Sequence, residues 1–440
     1  MKSILAVCAA TILASCAPPG AGSPGSAPRP RPPREVLRKS IDSLLADSKF
    51  RNAQLGILIV NPRTADTIYS HNAGKLFIPA SNQKILTGAV ALAQLGPDYR
   101  YRTSIVARGT VREGILDGDL AVIGNGDPTI SNRVRGSAKA AMDTIAGALA
   151  AKGIRQVTGA LRPAGDAFPD SIYGYGWEWD DLSSSGAPID ELLYNEGFIE
   201  IPPRIVGNDT IRSIATRNPV QSYLEALYGA LLRRGITVTG GPSGDTASRF
   251  AFGDTLHSFV SPPLREILRH FEKPSQNQIG EILLRTLGKE KTGVGVADSG
   301  AAVVSRQLLA WGAERDGFVV YDGSGLSRHD LVTPETLVRT LVAISRDTAF
   351  SVFLESLPIA GVDGTMRTRM AGSRAVGNMR AKTGTLEFVR SLSGYISNAD
   401  GERLVFSMLS NHFIVPVSEI NRMQDVIGAM LANYRAGVTR

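Results

Sequence analysis

Pro79-Ala80-Ser81-Asn82-Gln83-Lys84 runs directly into Ile85, Leu86, Ala89, Val90, Leu92 and Leu95, and the stretch stops at Gly96-Pro97. That spacing predicts a helix with one apolar face, opened near Ser81 and ended by the Gly-Pro pair. Ser81 and Lys84 lie three residues apart at its start, so hydroxyl and ammonium share a face. The helix N-terminus adds backbone N–H groups and a partial positive charge, which suit an oxyanion. Serine is also a common cap and lysine a common surface residue, so this pattern alone says little. The apolar run behind it matters more. A lysine on such a helix is desolvated, which lowers its pKa and makes a neutral amine available as a base.

Working outward, 35–46 carries helical spacing, 54–60 reads as a buried strand before the turn Asn61-Pro62, and 66–69 is a short strand able to pair with it. At the far end, 391–397, the turn Asn398-Ala399-Asp400-Gly401 and 403–410 form a hairpin, and 417–434 is a closing helix. Helical texture fills 263–345. These elements predict an α/β sandwich, an antiparallel sheet assembled from both ends of the chain with helices on both sides. Between them, 99–252 changes to short strand candidates with Gly, Asp and Asn turns and a helix near 220–233, and is expected to be an inserted module. The catalytic domain is then 35–98 with 253–440.

Two further elements can carry chemistry. In Pro274-Ser275-Gln276-Asn277, a serine hydroxyl can relay a proton and an asparagine amide can hold both an amine and a carbonyl. The plain alternative is that Ser275 caps the following helix. In Lys382-Thr383-Gly384-Thr385, an edge strand beside Ser81 would aim Lys382 and Thr383 at a substrate carboxylate. Gly384 would let substrate backbone approach, and the Thr385 N–H would serve an oxyanion. The plain alternative here is a hairpin turn with a charged flank.

Taken in order, Ser81-x-x-Lys84, Ser275-x-Asn277 and Lys382-Thr383-Gly384 resemble the three motifs of penicillin-recognising serine enzymes. Leu76 to Lys84, Gly126-Asp127-Pro128, Gly176 to Asp181, Ser261 to Gly288 and Asp322 to Ser327 narrow the resemblance to the D-alanyl-D-alanine carboxypeptidase/endopeptidase family, class C low-molecular-mass penicillin-binding proteins of peptidase family S13. The resemblance spans about 35–435, and that family carries a long insertion between its first two motifs. It implies acylation of Ser81 by peptidoglycan stem peptides, or by β-lactams as inhibitors. Lys84 is then the base, Ser275 the relay, Asn277 a positioning donor and Lys382 with Thr383 the carboxylate clamp. Asp180 or Asp181 is expected to read the free amine of the stem peptide, against the alternative of a turn packed by Trp177 and Trp179. Asp322-Gly323-Ser324-Gly325 reads as a tight turn. A serine β-lactamase and a non-catalytic wall-binding module are the competing readings.

No cofactor or metal is called for. The five histidines have no metal-ligand spacing, and G-x-S-x-G is absent. A net charge of +7 without a basic, aromatic-laced stripe argues against nucleic acid. Oligomeric state leaves no sequence signal. Lys2 and the apolar run 4–13 predict a signal peptide over 1–15, and Leu13-Ala14-Ser15-Cys16 resembles a lipobox, with lipid on Cys16. An ordinary cleavage site with an incidental cysteine is the alternative. Residues 16–34, rich in Pro, Gly, Ser and Arg, form the expected tether. The chain is therefore placed in the cell envelope facing the periplasm, lipid-anchored, and Ala17 after Cys16 leans towards the outer membrane.

Overall fold

Leu55-Gly56-Ile57-Leu58-Ile59-Val60 is apolar without alternation because its strand, Gln54–Asn61, is covered on both faces. In this computed structural model, which describes residues 33–183, 185–206, 209–244 and 253–436, the strand lies inside a five-stranded antiparallel sheet. The order is Arg380–Leu386, Val389–Ser397, Arg403–Asn411, Gln54–Asn61, Asp66–His71. Ile57 pairs with Met408, and Met408 with Leu392, so strands from the two ends of the chain interlock. Leu58, Tyr395, Val405 and Leu409 face one core together with helices Gln83–Leu95, Asn277–Thr292 and Pro334–Ile344. Ile57, Ile59, Leu392 and Phe406 face the other, against Pro33–Leu45 and Val417–Asn433. The α/β sandwich expected from the sequence is present, helices on both sides.

A second sheet forms a lobe beside it. Its order is Asp254–Val260, Arg102–Arg112, Ile115–Ile123, Gln156–Val157, Thr237–Val238, with Leu161–Ala164 also on Ile115–Ile123. Two helices, Ala138–Ala151 and Pro219–Arg233, pack against one another and supply Met142, Ile145, Leu149, Leu224 and Leu227 to its core. Strand texture alone does not describe this lobe, since Ser137 caps a full helix by accepting from the Ala140 N–H. The return to the first lobe also comes later than residue 253. Asp254–Val260 pairs with Arg102–Arg112, because the strand that leads out of the lobe closes the edge opened by the strand that leads in.

Cys16 and the expected signal and tether up to residue 32 lie outside the described residues. Pro33 and Arg34, read as tether, instead open the first helix, where proline is tolerated because its missing N–H would have no partner anyway. Among the described residues no helix is long and apolar enough to cross a membrane.

Candidate active site

Ser81 sits in a short 3-10 turn, Ala80–Asn82, that feeds the helix Gln83–Leu95. Its position is overdetermined by the residues around it. The Ser391 hydroxyl donates to the Pro79 carbonyl (2.7 Å), the Asn82 amide to the Lys382 carbonyl (2.9 Å) and the Gln83 amide to the Asp322 carbonyl (3.3 Å). The intervening residues of S-x-x-K thus tie the nucleophile's turn to the sheet and to a loop. Ala80 pays in backbone strain, with φ of +47°, a conformation that β-carbon residues seldom take and that surrounding structure must enforce.

Lys84 is fully buried. Its Nζ lies 3.0 Å from Ser81 Oγ, 2.7 Å from Asn277 Oδ1 and 2.6 Å from the Ser324 carbonyl oxygen. Burial lowers its pKa to about 8, with Asp322, Glu272, Glu281 and Asp330 pulling the other way. A neutral amine here can donate to Asn277 and Ser324 and keep its lone pair for the Ser81 proton.

The Ser324 carbonyl was not legible as a site group, and its placement comes from the 322–327 turn. Asp322 is buried and accepts from the N–H groups of Ser324, Gly325, Leu326 and Ser327 and from the Trp177 indole (3.0 Å). Burial raises its pKa, yet the Asp330 carboxyl and those donors outweigh burial and leave it lowered. Glu281, one turn after Asn277, receives the Gly323 and Ser324 N–H groups, both at 3.0 Å. The tight turn read from the sequence is therefore a mount for the lysine. Gly325 can occupy it at φ +77°, where a β-carbon would come within 1.9 Å of the Ala80 carbonyl oxygen.

Across the cleft, Ser275 has φ of +63° and does not cap the helix. Gln276 does so, accepting from the Ile279 N–H (2.7 Å). Ser275 Oγ is left to accept from Lys382 Nζ at 2.8 Å. Asn277 donates one amide hydrogen to the Ser185 carbonyl (3.1 Å), so only its second remains for a substrate. Lys382 is also fully buried, its Nζ bonded to Ser275 and the Thr383 carbonyl (2.9 Å), and burial together with Lys84 depresses its pKa. Lys382 is reached through Ser275, while Thr383 and Thr365 stand on the cleft wall with their hydroxyls 2.7 Å apart. Thr365 escaped sequence reading because it arrives on a loop tied by its own N–H to the Lys273 carbonyl.

Lys382-Thr383-Gly384-Thr385 lies on the strand Arg380–Leu386 at the sheet edge, as expected. A β-carbon at Gly384 would meet Ser391 Oγ at 2.0 Å, the Pro79 carbonyl at 2.8 Å and the Ser81 nitrogen at 3.0 Å, so the glycine admits the nucleophile's turn. Gly384→Ala should displace Ser81 and slow acylation by a fluorescent penicillin by about 100-fold, the usual cost of a misplacement near 1 Å. Labelling rates checked beside melting curves would show whether the loss exceeds any loss of fold.

These groups open onto a cleft of about 740 Å³ lined by Ser81, Ser275, Asn277, Thr383 and Thr385. Asp180 and Asp181 stand on its wall with Glu178, and the three carboxylates approach within 4.8 Å of one another. Partial burial raises Asp181, and its acidic neighbours add to that. Arg328 pairs with Glu178 at 3.1 Å. Of the two indoles, Trp177 packs and bonds Asp322, whereas Trp179 is 89% exposed, so the turn is not closed by both rings.

A serine held by a buried lysine, faced by a Ser-Asn pair and a Lys-Thr-Gly edge strand on a two-faced sandwich, defines the penicillin-recognising class of serine hydrolases. The chain belongs to the D-Ala-D-Ala carboxypeptidase 3 (S13) family, whose description fits residues 37–203 and 201–434. It is 31% identical to the D-alanyl-D-alanine carboxypeptidase of Actinomadura sp. (strain R39), over 90% of this chain and 85% of that one. It is 26% identical to the D-alanyl-D-alanine carboxypeptidase DacB of Haemophilus influenzae, over 82% and 86%. The fold is that of the crystal structure of penicillin binding protein 4 from H. influenzae, with a TM-score of 0.80, 23% identity and coverage of 90% and 99%.

Proposed function

We propose that the chain removes the terminal D-alanine from peptidoglycan stem peptides through an acyl-enzyme on Ser81. The observation that carries this is Lys84 Nζ, 3.0 Å from Ser81 Oγ and fixed by Asn277 and Ser324. Lys84 takes the hydroxyl proton as Ser81 attacks the carbonyl between the two D-alanines. The bond to the leaving amine then breaks, and that nitrogen receives a proton from Ser275, refilled from Lys382. Water hydrolyses the ester and restores both lysines. The oxyanion is assigned to the Ser81 and Thr385 N–H groups, and the terminal carboxylate to Thr383 and Thr365. β-Lactams acylate the same serine, as the related fold seen with a bound β-lactam in H. influenzae penicillin binding protein 4 suggests.

Asp180 and Asp181 are proposed to receive the free amine of the stem peptide, since three clustered carboxylates on a cleft wall favour a cation. Asp180→Asn and Asp181→Asn should raise KM for amine-bearing stem peptides by about 10-fold, with kcat little changed. N-acetylated peptides should show no such loss, and equal losses on both substrates would refute the assignment. The lipid anchor on Cys16, the signal over 1–15 and the periplasm-facing, outer-membrane placement belong to the same proposal. They rest on the sequence pattern alone. Digestion of purified muropeptides with mass readout tests the activity: loss of one alanine supports carboxypeptidase action, cut cross-links support endopeptidase action, and the absence of both products defeats the reading.

A further inference from the structure

Glu272 is the last residue of the helix Leu264–Glu272, three positions before Ser275, and its side chain is completely buried. Neither carboxylate oxygen has a hydrogen-bond partner among the described residues. Its backbone carbonyl accepts the Ser275 N–H (3.3 Å), so it forms part of the turn that presents Ser275. Its Oε1 lies against Gly88, one helical turn after Lys84, where a β-carbon would come within 2.6 Å. Burial pushes its carboxyl up to about 7, and Lys382 from the edge strand and Lys84 from the serine helix pull it back down. Asp322, Glu281 and Asp330 act on Lys84 as well, and the neighbouring Lys273 is engaged by Asp363 at 2.5 Å.

A carboxylate stripped of water and of hydrogen bonds is costly unless a charge compensates it. Here two buried lysines share the enclosure, and the reaction needs them in opposite states: Lys84 without its extra proton, Lys382 with it. We propose that Glu272 is the buried counter-ion of the Lys84–Lys382 pair, a positioning residue that retains one proton on Lys382 while Lys84 is free to accept another from Ser81. The glycine at 88 is the space that admits it. This inference rests on the serine-peptidase reading above.

Removing the carboxylate removes stabilisation of both ammonium forms, so both lysines lose protons more readily. In Glu272→Gln, both limbs of the kcat/KM–pH profile for D-alanine release should therefore move to lower pH, by on the order of one unit. Glu272→Met, of similar length and without polar atoms, should do the same and serves where the amide is poorly tolerated. Glu272→Asp keeps the charge and should hold both limbs near their wild-type positions. A merely structural residue would alter melting temperature without moving the limbs. Profiles of the neutral variants that superimpose on wild type, or an aspartate variant that shifts as far as they do, overturn the inference. Fluorescent-penicillin labelling of wild type runs alongside: no label on Ser81 defeats the peptidase reading itself, whereas label with unmoved limbs defeats only the counter-ion.

Discussion

Ser81→Ala should leave the protein folded and without acylating activity. Fluorescent penicillin should fail to label it, and D-alanine release should fall by at least about 10⁴-fold, since among the described residues Ser81 is the cleft hydroxyl bonded to Lys84. Ser275 faces a lysine too, but Lys382 bonds it from behind the cleft wall at 2.8 Å and is committed to the Thr383 carbonyl as well. The methyl group of alanine fits the Ala80–Asn82 turn, whose restraints run through Pro79, Asn82 and Gln83 and not through the Ser81 hydroxyl. Unchanged melting with no label is the expected pair of results, and residual label at another serine would move the nucleophile elsewhere.

The second large effect belongs to Lys84. Lys84→Met keeps the length and the apolar packing but removes the base, and acylation should fall by about 10³- to 10⁴-fold. The pH dependence gives a sharper signature. With its pKa lowered to about 8 by burial, Lys84 is protonated below that pH and cannot take the serine's proton. In wild type, the rising limb of kcat/KM should therefore climb about tenfold per pH unit up to near 8. In Lys84→Met the residual rate should lack that limb. Retention of the same limb in the variant would assign it to another group.

Much of this was readable from the chain because the chemistry is carried by side chains on regular elements. Ser81, Lys84, Asn277 and Lys382 lie on or beside a helix start or an edge strand, where spacing along the chain maps onto spacing in three dimensions. The sheet was equally legible, since Leu55 to Val60 and Arg403 to Ser410 are apolar runs bounded by turn residues. The Ala138–Ala151 helix carries its own signal, with Met142, Ile145, Ala146 and Leu149 at helical intervals after the Ser137 cap. The glycines and short strands around it suggest a different texture. Other features were not readable in principle. The Ser324 group that touches Lys84 is a backbone carbonyl, which every residue type possesses. Thr365 meets Thr383 through a loop, and Glu272 is buried against Gly88 on a helix distant in sequence. Lys382 was legible as a site residue, but whether its ammonium faces the cleft or lies behind Ser275 depends on packing. Gly384 shows the same limit: the sequence marks a close approach there but not by which group.

The pairing of Ile57 with Met408 also governs how the molecule comes into being. A nascent chain makes the Gln54–Asn61 strand early and its inner neighbour, Arg403–Asn411, almost last, so that strand must wait with the N–H and C=O groups of one edge unpaired. The second lobe runs continuously from Arg102 to Val260 and has no such wait. Closure of the sheet is a contact between distant parts of the chain and so a slow one. The wall of the active site at Lys382 and Gly384 forms with it, so a chain cut short before that closure has its nucleophile and the Ser275–Asn277 side but lacks the edge strand between them.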